Sequence, residues 1–339
     1  MAHSCTLDLG GRLYCWGSNS RGQLGDGTLE PYRHSPKIVN GVGRRGWLAE
    51  KRVSQVSAGN SRTCAIDTGG KAYCWGWNFY GEIGNGVGQN RSSPTGISYG
   101  WLGGRYYSLS QISAGGFYTC ALNTEGRSYC WGFNGHGQLG FDDAYYSYVP
   151  RPVSNSGALS GKRLVKIAAG YYHTCALDTE GRAYCWGANN HGQIGNGAVR
   201  RSSGTKYGGG PAAVDRTGVL RDKRLVDISV GLYHTCALSS EGQAYCWGNN
   251  GSGQLGNGGS SDSVAPVLVD MSRVSSGGRL VRIFSSGDSN STCSYDVAGQ
   301  VYCWGQNDHG QLGDGTTADR NAPTPVYPTI YKTYKKIKY

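Results

Sequence analysis

The residues best suited to chemistry in this 339-residue sequence are its cysteines. All 12 fall into pairs whose members stand ten positions apart: Cys5/Cys15, Cys64/Cys74, Cys120/Cys130, Cys175/Cys185, Cys236/Cys246 and Cys293/Cys303. Such pairs can form disulfides, remain as buried thiols or bind zinc. Zinc is the least favoured, because compact zinc sites use cysteines separated by only about two to four residues. No metal site is therefore predicted.

The spacing within a pair favours a disulfide. The segment Thr179-Glu180-Gly181 is typical of a three-residue hairpin loop, with Gly181 in the left-handed conformation. Counting outward from Asp178 and Arg182, Cys175 faces Cys185 in a non-hydrogen-bonded pair, where Cα atoms lie about 4.5 Å apart. That distance is at the short end of the range that a disulfide accepts. We predict six disulfides, with buried thiols as the alternative, and an oxidising compartment: secreted, periplasmic or cell-surface.

The histidines do not suggest catalysis. Six of the seven recur at repeat positions, which predicts hydrogen bonds between side chains and the backbone of neighbouring strands: His3, His136, His173, His191, His234 and His309. The sequence shows no recurring carboxylate pair, nucleophile elbow or phosphate-binding loop. We therefore predict a protein that is not an enzyme and has no cofactor.

Aromatic and arginine side chains in the loops are the predicted binding residues. Both residue types are enriched among the side chains that dominate binding energies. The candidates are Arg44, Arg45, Trp47, Trp77, Trp101, Tyr145, Tyr146, Tyr148, Arg200 and Arg201. The alternative is that these aromatic residues fold over their own repeat as lids.

A repeat explains how these residues are positioned. Tyr-Cys-Trp-Gly occurs six times at intervals of 55 to 61 residues, and Gly-Gln-Leu-Gly or a close variant follows each copy. One unit contains a short strand (Leu164 to Ala169), the cysteine hairpin, and a fourth strand near a Pro-X-X-Val segment. Four strands per repeat, with 57 glycines to form turns, predict an all-β propeller whose blades pack side by side.

The motifs Gly-X-X-His-Thr-Cys-Ala-Leu, Tyr-Cys-Trp-Gly-X-Asn and Gly-Gln-Leu-Gly-Asn/Asp-Gly resemble regulator of chromosome condensation repeats across essentially the whole chain. The resemblance implies a β-propeller, usually of seven blades, and an intracellular role in guanine-nucleotide exchange or on chromatin. The paired cysteines instead resemble bacterial extracellular members. No residue that carries exchange activity in the family can be matched to this chain.

The ends of the chain predict how the ring closes. The repeats span about 1–48, 49–105, 106–161, 162–222, 223–278 and 279–333 of one domain, 1–339. The first repeat lacks its opening strand, and Tyr334 to Tyr339 align with Leu164 to Ala169. We therefore predict six four-stranded blades, with 334–339 completing the first. A truncated seven-bladed propeller is the alternative.

Charge points to the type of partner. The net charge is +11, and basic residues precede the opening strands at Lys51, Arg52, Arg105, Lys162, Arg163, Lys223, Arg224, Arg279 and Lys332. They predict a positive rim that suits an anionic partner or blocks edge pairing.

No apolar run is long enough to span a membrane, and no signal peptide is visible. We predict an extracellular or cell-surface binding or scaffold module for a protein or an anionic surface polymer, with self-assembly or attachment to a larger assembly as further roles. Nucleic acid is disfavoured, and the intracellular exchange or chromatin role is the alternative.

Overall fold

A computed structural model describes residues 3–39, 48, 51–99, 108–199 and 209–327. Within them, 23 strands form six antiparallel sheets, which are the blades of a six-bladed β-propeller. The predicted all-β fold with six blades is therefore confirmed. Among the described residues, three short 3-10 helices lie in connections between blades: Gly157–Leu159, Met271–Arg273 and Ser276–Gly278.

The blades are numbered in chain order, and their strands follow one another across each sheet. The first has β1 (His3–Leu7), β2 (Leu13–Ser18) and β3 (Tyr32–Ile38), and the second has β4 (Val53–Ala58), β5 (Arg62–Asp67), β6 (Ala72–Gly76) and β7 (Arg91–Gly96). The third has β8 (Leu109–Ala114), β9 (Tyr118–Asn123), β10 (Ser128–Phe133) and β11 (Tyr146–Pro152), and the fourth has β12 (Leu164–Ala169), β13 (His173–Asp178), β14 (Ala183–Gly187) and β15 (Ala212–Ala213). The fifth has β16 (Leu225–Val230), β17 (His234–Ser239), β18 (Ala244–Gly248) and β19 (Ser263–Leu268), and the sixth has β20 (Leu280–Phe284), β21 (Ser291–Asp296), β22 (Val301–Gly305) and β23 (Arg320–Pro325).

The cysteine hairpin forms with the predicted register. In the fourth blade, Cys175 pairs with Cys185. Asp178 Oδ1 accepts the backbone N–H groups of Glu180 and Arg182, both at 2.9 Å, and Gly181 has a φ of 74°. The sequence of the loop therefore sets which residues face each other along the two strands.

All 12 cysteines are disulfide-bonded in the predicted pairs, so buried thiols, the alternative, do not occur in this structure. The Cα atoms of each pair lie 4.1 to 4.2 Å apart, closer than the distance of about 4.5 Å expected for facing residues, because the bridge draws the two strands together. In blade order, the bridges are Cys5–Cys15, Cys64–Cys74, Cys120–Cys130, Cys175–Cys185, Cys236–Cys246 and Cys293–Cys303.

Adjacent blades meet in repeated interfaces, which we call seams. Trp186 is 1% exposed, and its Nε1 donates to the carbonyl oxygen of Gln138 in the preceding blade at 3.0 Å. The other seam tryptophans with this bond are Trp75, Trp131, Trp247 and Trp304. Each hydrophobic cluster of the described residues combines side chains of two neighbouring blades. A blade therefore buries its apolar faces only by packing on its neighbours.

A second seam contact runs in the opposite direction. His173 Nε2 lies 2.8 Å from Thr235 Oγ1 of the following blade, and His3 and His234 make the same contact. The predicted backbone partner is thus wrong: the partner is a threonine hydroxyl, because the imidazole reaches the next blade. Burial lowers the pKa of His173 to about 3, so its ring is neutral at neutral pH.

The connections leave the blades on two opposite faces. Because neighbouring strands are antiparallel, the turn from first to second strand and the loop from third to outer strand lie on one face, the upper face. The cysteine-hairpin turns and the connections between blades lie on the other, the lower face. At the centre of the upper face, Asn60 Nδ2 of the second blade donates to Tyr171 Oη of the fourth at 3.4 Å.

The first blade has three strands among the described residues. The segment 334–339, predicted to be its fourth, lies outside them. Asp288 of the sixth blade is close enough to raise the pKa of His3, although burial dominates and lowers that pKa to about 4. Asp288 and His3 therefore lie near each other, so the last blade is next to the first, as a ring requires.

Candidate functional site

The upper face carries a continuous group of ring side chains from the second to the fifth blade. We call it the aromatic belt; it consists of Trp77, Phe79, Tyr80, Phe117, Phe133, His136, Tyr145, Tyr171, Tyr172, His191 and Tyr233. Its members come from the first turn or the third-to-outer loop of successive blades, except Phe133, which ends strand β10. Phe79 is 61% exposed and Tyr145 is 47% exposed. The belt is therefore a solvent-accessible surface built on a rigid scaffold.

The rings of the belt enclose a cleft of about 460 Å³. The rings of Phe79 and Tyr80 are perpendicular at 5.0 Å, and Tyr80 lies 4.9 Å from Phe133. His136 lies 4.8 Å from Tyr172 across the next blade boundary. Because the rings meet at steep angles, the cleft has aromatic walls that face in several directions. Its lining consists of Trp77, Phe79, Tyr80, Phe117, Phe133, His136 and Tyr172.

A repeated asparagine fixes the loops that carry the belt. Asn78 Oδ1 accepts the Ile83 N–H at 2.8 Å, while its Nδ2 donates to the carbonyl oxygens of Val87 and Gln89. Equivalent asparagines make the first of these bonds in the other blades: Asn19, Asn134, Asn189, Asn250 and Asn307. The residues on either side of this anchor differ between blades, so they can vary without disturbing the loop. In the second blade they are Trp77 and Phe79.

The second blade also buries two charged groups near the belt. Arg62 occupies the position of His173 and bonds to Thr119 Oγ1 and to the carbonyl oxygens of Gly115 and Gly116 in the third blade. Burial lowers its pKa to about 10, so it remains charged. Glu82 is fully buried at a position where the other repeats have glutamine. Burial raises the pKa of Glu82, and the charge of Arg62 partly offsets this rise.

Glu82 lies at the base of the loop that carries Trp77 and Tyr80. Its Oε2 accepts the Tyr80 N–H at 2.8 Å. Glu82 Oε1 and Trp77 Nε1 are both buried, and neither has a hydrogen-bond partner of normal geometry. The indole N–H of Trp77 nevertheless acts as a donor toward the Glu82 carboxyl and lowers its pKa. The guanidinium of Arg21 lies over the face of the Trp77 ring, 4.4 Å from the ring centroid. Trp77 therefore lies between a carboxyl group and a cation.

The structure places four of the predicted binding residues. Trp77 and Tyr145 belong to the belt, and Tyr145 packs edge-on against Phe133 at 5.1 Å. Tyr146 and Tyr148 lie in strand β11 rather than in an inserted loop, with their rings 5.0 Å apart. Tyr148 packs on Gly81 of the second blade, where no Cβ would fit, so it serves a seam. Arg44, Arg45, Trp47, Trp101, Arg200 and Arg201 lie outside the described residues.

The predicted disulfide residues belong to the interior of the propeller and not to its binding surface. Cys175 Sγ lies 3.7 Å from Thr235 Oγ1 of the following blade, so the bridge is part of a seam. The second cysteine of every pair is at most 4% exposed: Cys15, Cys74, Cys130, Cys185, Cys246 and Cys303. The bridges are therefore cross-links that stabilise the hairpins, although Cys5 and Cys293, the first cysteines of two pairs, are partly exposed.

Most of the belt was not predicted from the sequence. The sequence predicted hydrogen bonds between strands for the histidines, but His136 and His191 pack against the rings of the belt. The sequence does contain a usable signal. Phe79 of the second blade corresponds to Gly135 of the third, and Phe117 of the third blade corresponds to Ser61 of the second. In each case one repeat has a large ring where the other has a small residue. Aligning the six units by position and marking such exceptions would have identified these rings.

The predicted basic residues that the structure describes lie on the lower face, where acidic side chains pair with two of them: Lys51 with Asp67 and Lys223 with Glu241. Arg163 and Arg224 are exposed, and each also donates to a carbonyl oxygen of the preceding blade, Thr124 and Thr179 respectively. A cleft of about 450 Å³ on this face includes Lys51, Arg52 and Lys71 in its lining. Arg105 and Lys332 lie outside the described residues. The rim therefore holds blades together as well as presenting charge.

In the part of the chain that the structure describes, no three His, Cys, Asp or Glu side chains come together as a metal site. In the same ranges, no helix is long and apolar enough to cross a membrane.

The sequence matches the family model of the RCC1-like domain over residues 1–289 and 101–338. The chain belongs to the RCC1-like domain family. This RCC1-like chain is 29% identical to the ultraviolet-B receptor UVR8 of Arabidopsis thaliana, over 93% of its own length and 65% of the receptor. It is 31% identical to the mitochondrial RCC1 domain-containing protein RUG3 of Arabidopsis thaliana, over 75% of this chain and 53% of that protein. The chain thus spans 65% or less of the length of these two relatives.

Solved structures share the RCC1-like fold. Human WBSCR16 superposes with a TM-score of 0.80 at 20% identity, covering 96% of this chain and 79% of that one. Yeast RCC1 (Prp20), solved with Kap60, superposes with a TM-score of 0.79 at 21% identity, covering 96% of this chain and 73% of that one. At these identities the similarity is one of fold.

Proposed function

We propose that the chain is a non-enzymatic protein-binding propeller that docks its partner on the aromatic belt. The observation that carries the proposal is a large group of partly exposed rings on one face, held by anchored loops. Rigid aromatic side chains provide contact area at little cost in conformational entropy, and they dominate many protein interfaces. Protein binding also fits the relatives, since yeast RCC1 is seen with Kap60 and Prp20p has been studied for its binding to Gsp1p and histones.

A binding comparison tests the docking face. Phe79→Ala and Tyr172→Ala should each weaken binding of a purified partner by about 1 to 3 kcal/mol with the melting temperature unchanged. Arg163→Ala on the lower face is the matched control and should bind normally. Candidate partners come from affinity capture with the three variants in parallel, followed by titration of the purified pair. A partner that binds both belt variants as tightly as the parent chain would contradict the proposal.

We also propose an extracellular or cell-surface location, supported by the six disulfides. Disulfides persist in oxidising compartments and are rare in the cytosol. The alternative is an intracellular exchange or chromatin role, as in the family's usual setting. Free thiols counted on denatured, unreduced protein from its natural source separate the two: none supports the proposal, and 12 would support the alternative.

A second candidate function is binding of an anionic polymer on the lower face. The basic cleft that contains Lys51, Arg52 and Lys71 favours it. Replacing these three residues with alanine should shift elution from a heparin column to lower salt, whereas Phe79→Ala should not. Identical elution of all variants would remove this candidate.

A further inference from the structure

The aromatic cleft has the features of a site for a positive charge. An aromatic ring attracts a cation to its face when the cation lies within about 6 Å of the centroid. The rings of Phe79 and Tyr80 are perpendicular, and those of Tyr80 and Phe117 meet at 77°. A group placed between such walls can therefore contact more than one ring face.

The charges around the cleft support the same assignment. The chain has 33 lysines and arginines against 22 acidic residues, yet the described residues that line the cleft include no lysine or arginine. The carboxyl group of Glu82 lies at the base of the loop that forms one wall. The cations near the cleft are thus outside its lining: Arg21 lies on the face of Trp77, and Arg62 is buried beside Glu82.

The molecule already contains one such contact. The Arg21 guanidinium lies 4.4 Å from the centroid of Trp77. Trp77 belongs to the lining of the cleft, so at least one of its rings binds a cation in this structure. The remaining rings have no such occupant among the described residues.

We propose that the cleft binds an alkylammonium group, the charged end of a plain or N-methylated lysine side chain of the partner protein. This proposal rests on the docking function and names the chemistry that the belt recognises. An alkylammonium fits better than a neutral apolar side chain, because the ring faces attract charge while the apolar walls accept the methylene stem.

The test uses choline as the probe and 3,3-dimethylbutan-1-ol as its uncharged counterpart of the same shape. Each is titrated into the full chain, with tryptophan fluorescence or ligand methyl resonances as the readout. Choline should bind on the order of tenfold more tightly than the alcohol. Equal affinities, or no binding by either, would overturn the proposal.

Variants locate the site. Phe133→Leu keeps apolar bulk but removes a ring, so it should weaken choline binding and leave alcohol binding unchanged. Phe284→Leu, an exposed ring in the sixth blade, is the matched control and should change neither. Arg21→Ala should strengthen choline binding, because it frees the face of Trp77 and removes a like charge. If Phe133→Leu does not fold, Arg21→Ala still tests the proposed cation site. Choline binding by Arg21→Ala that is unchanged or weaker than in the parent chain would contradict the site.

The outcomes separate this proposal from the docking function. Choline selectivity without any effect of Phe79→Ala or Phe133→Leu on the partner would support the cation site and contradict docking on the belt. Partner binding that depends on Phe79, together with equal binding of choline and the alcohol, would support docking and contradict the cation site.

Discussion

Trp186 and Trp77 are the same residue type used in opposite ways. Trp186 is 1% exposed, bonds to the Gln138 carbonyl, and has equivalents in four other seams. Trp77 comes directly after the Cys-Trp-Gly motif of the second blade and lies partly exposed on the upper face. The residue at its position differs in every other repeat: Ser18, Phe133, Ala188, Asn249 and Gln306. The comparison teaches that a position repeated in every blade serves the ring, whereas a position that breaks the repeat is available for binding.

The largest expected effect separates these two regions directly. Trp186→Ala should lower the free energy of unfolding by about 3 to 5 kcal/mol, because it leaves a cavity in a seam. Phe79→Ala should change it by less than about 0.5 kcal/mol, since an exposed ring leaves no cavity. Chemical denaturation measures both. Similar losses for the two variants would mean that the belt is part of the core.

A disulfide should contribute less than a seam tryptophan. Replacing Cys175 and Cys185 together with alanine should cost about 2.8 kcal/mol, the chain entropy of an 11-residue loop, and less if the hairpin persists in the unfolded chain. Denaturation under non-reducing conditions measures this loss. The parent chain under reducing conditions is the control and should lose more, since all six bridges open. No loss in the double variant would mean that the seams alone hold the hairpins.

Acid should weaken the seams. Burial lowers the pKa of His173 to about 3 and that of His234 to about 4, both below the unfolded value of 6.5. Their contribution is complete above pH 6.5 and is lost as the pH falls, because the unfolded chain binds the proton first. Between pH 7 and 5 each should cost about 2 kcal/mol of stability. Unfolding curves at both pH values measure this loss of stability, and His173→Gln should remove the part of it that comes from His173. A free energy of unfolding that is the same at pH 7 and pH 5 would contradict the prediction.

The smallest expected effect concerns the lower face. Arg163→Ala removes one exposed hydrogen bond to the Thr124 carbonyl, so it should cost no more than about 1 kcal/mol. The thermal midpoint measures this, and the paired variant Arg127→Ala, which loses only an exposed ion pair, should cost less. A loss of stability as large as that expected for Trp186→Ala would mean that Arg163 is part of the core.

The fold was predictable because repetition amplifies weak signals. One hairpin with Asp178 and Gly181 is ambiguous, but six copies in one register fix strand order, disulfides and blade number together. The belt was not predictable in the same way, because Phe117 and Tyr171 come from separate blades and meet only through the curvature of the ring. Residue type singled out Trp77 and Tyr145, whereas the contact of His136 with Tyr172 depends on packing across blades.

The seams also have a direction. The tryptophans of the second to sixth blades reach back to the preceding blade. In four blades a histidine or arginine reaches forward to the next: His3, Arg62, His173 and His234. Each contact thus joins two different edges, as in a head-to-tail oligomer whose subunits happen to be covalently linked. Such heterologous contacts can propagate without limit, and they close only when the rotation per unit sums to a full turn. The number of blades is therefore set by the angle between neighbours and not by the chemistry of any one seam.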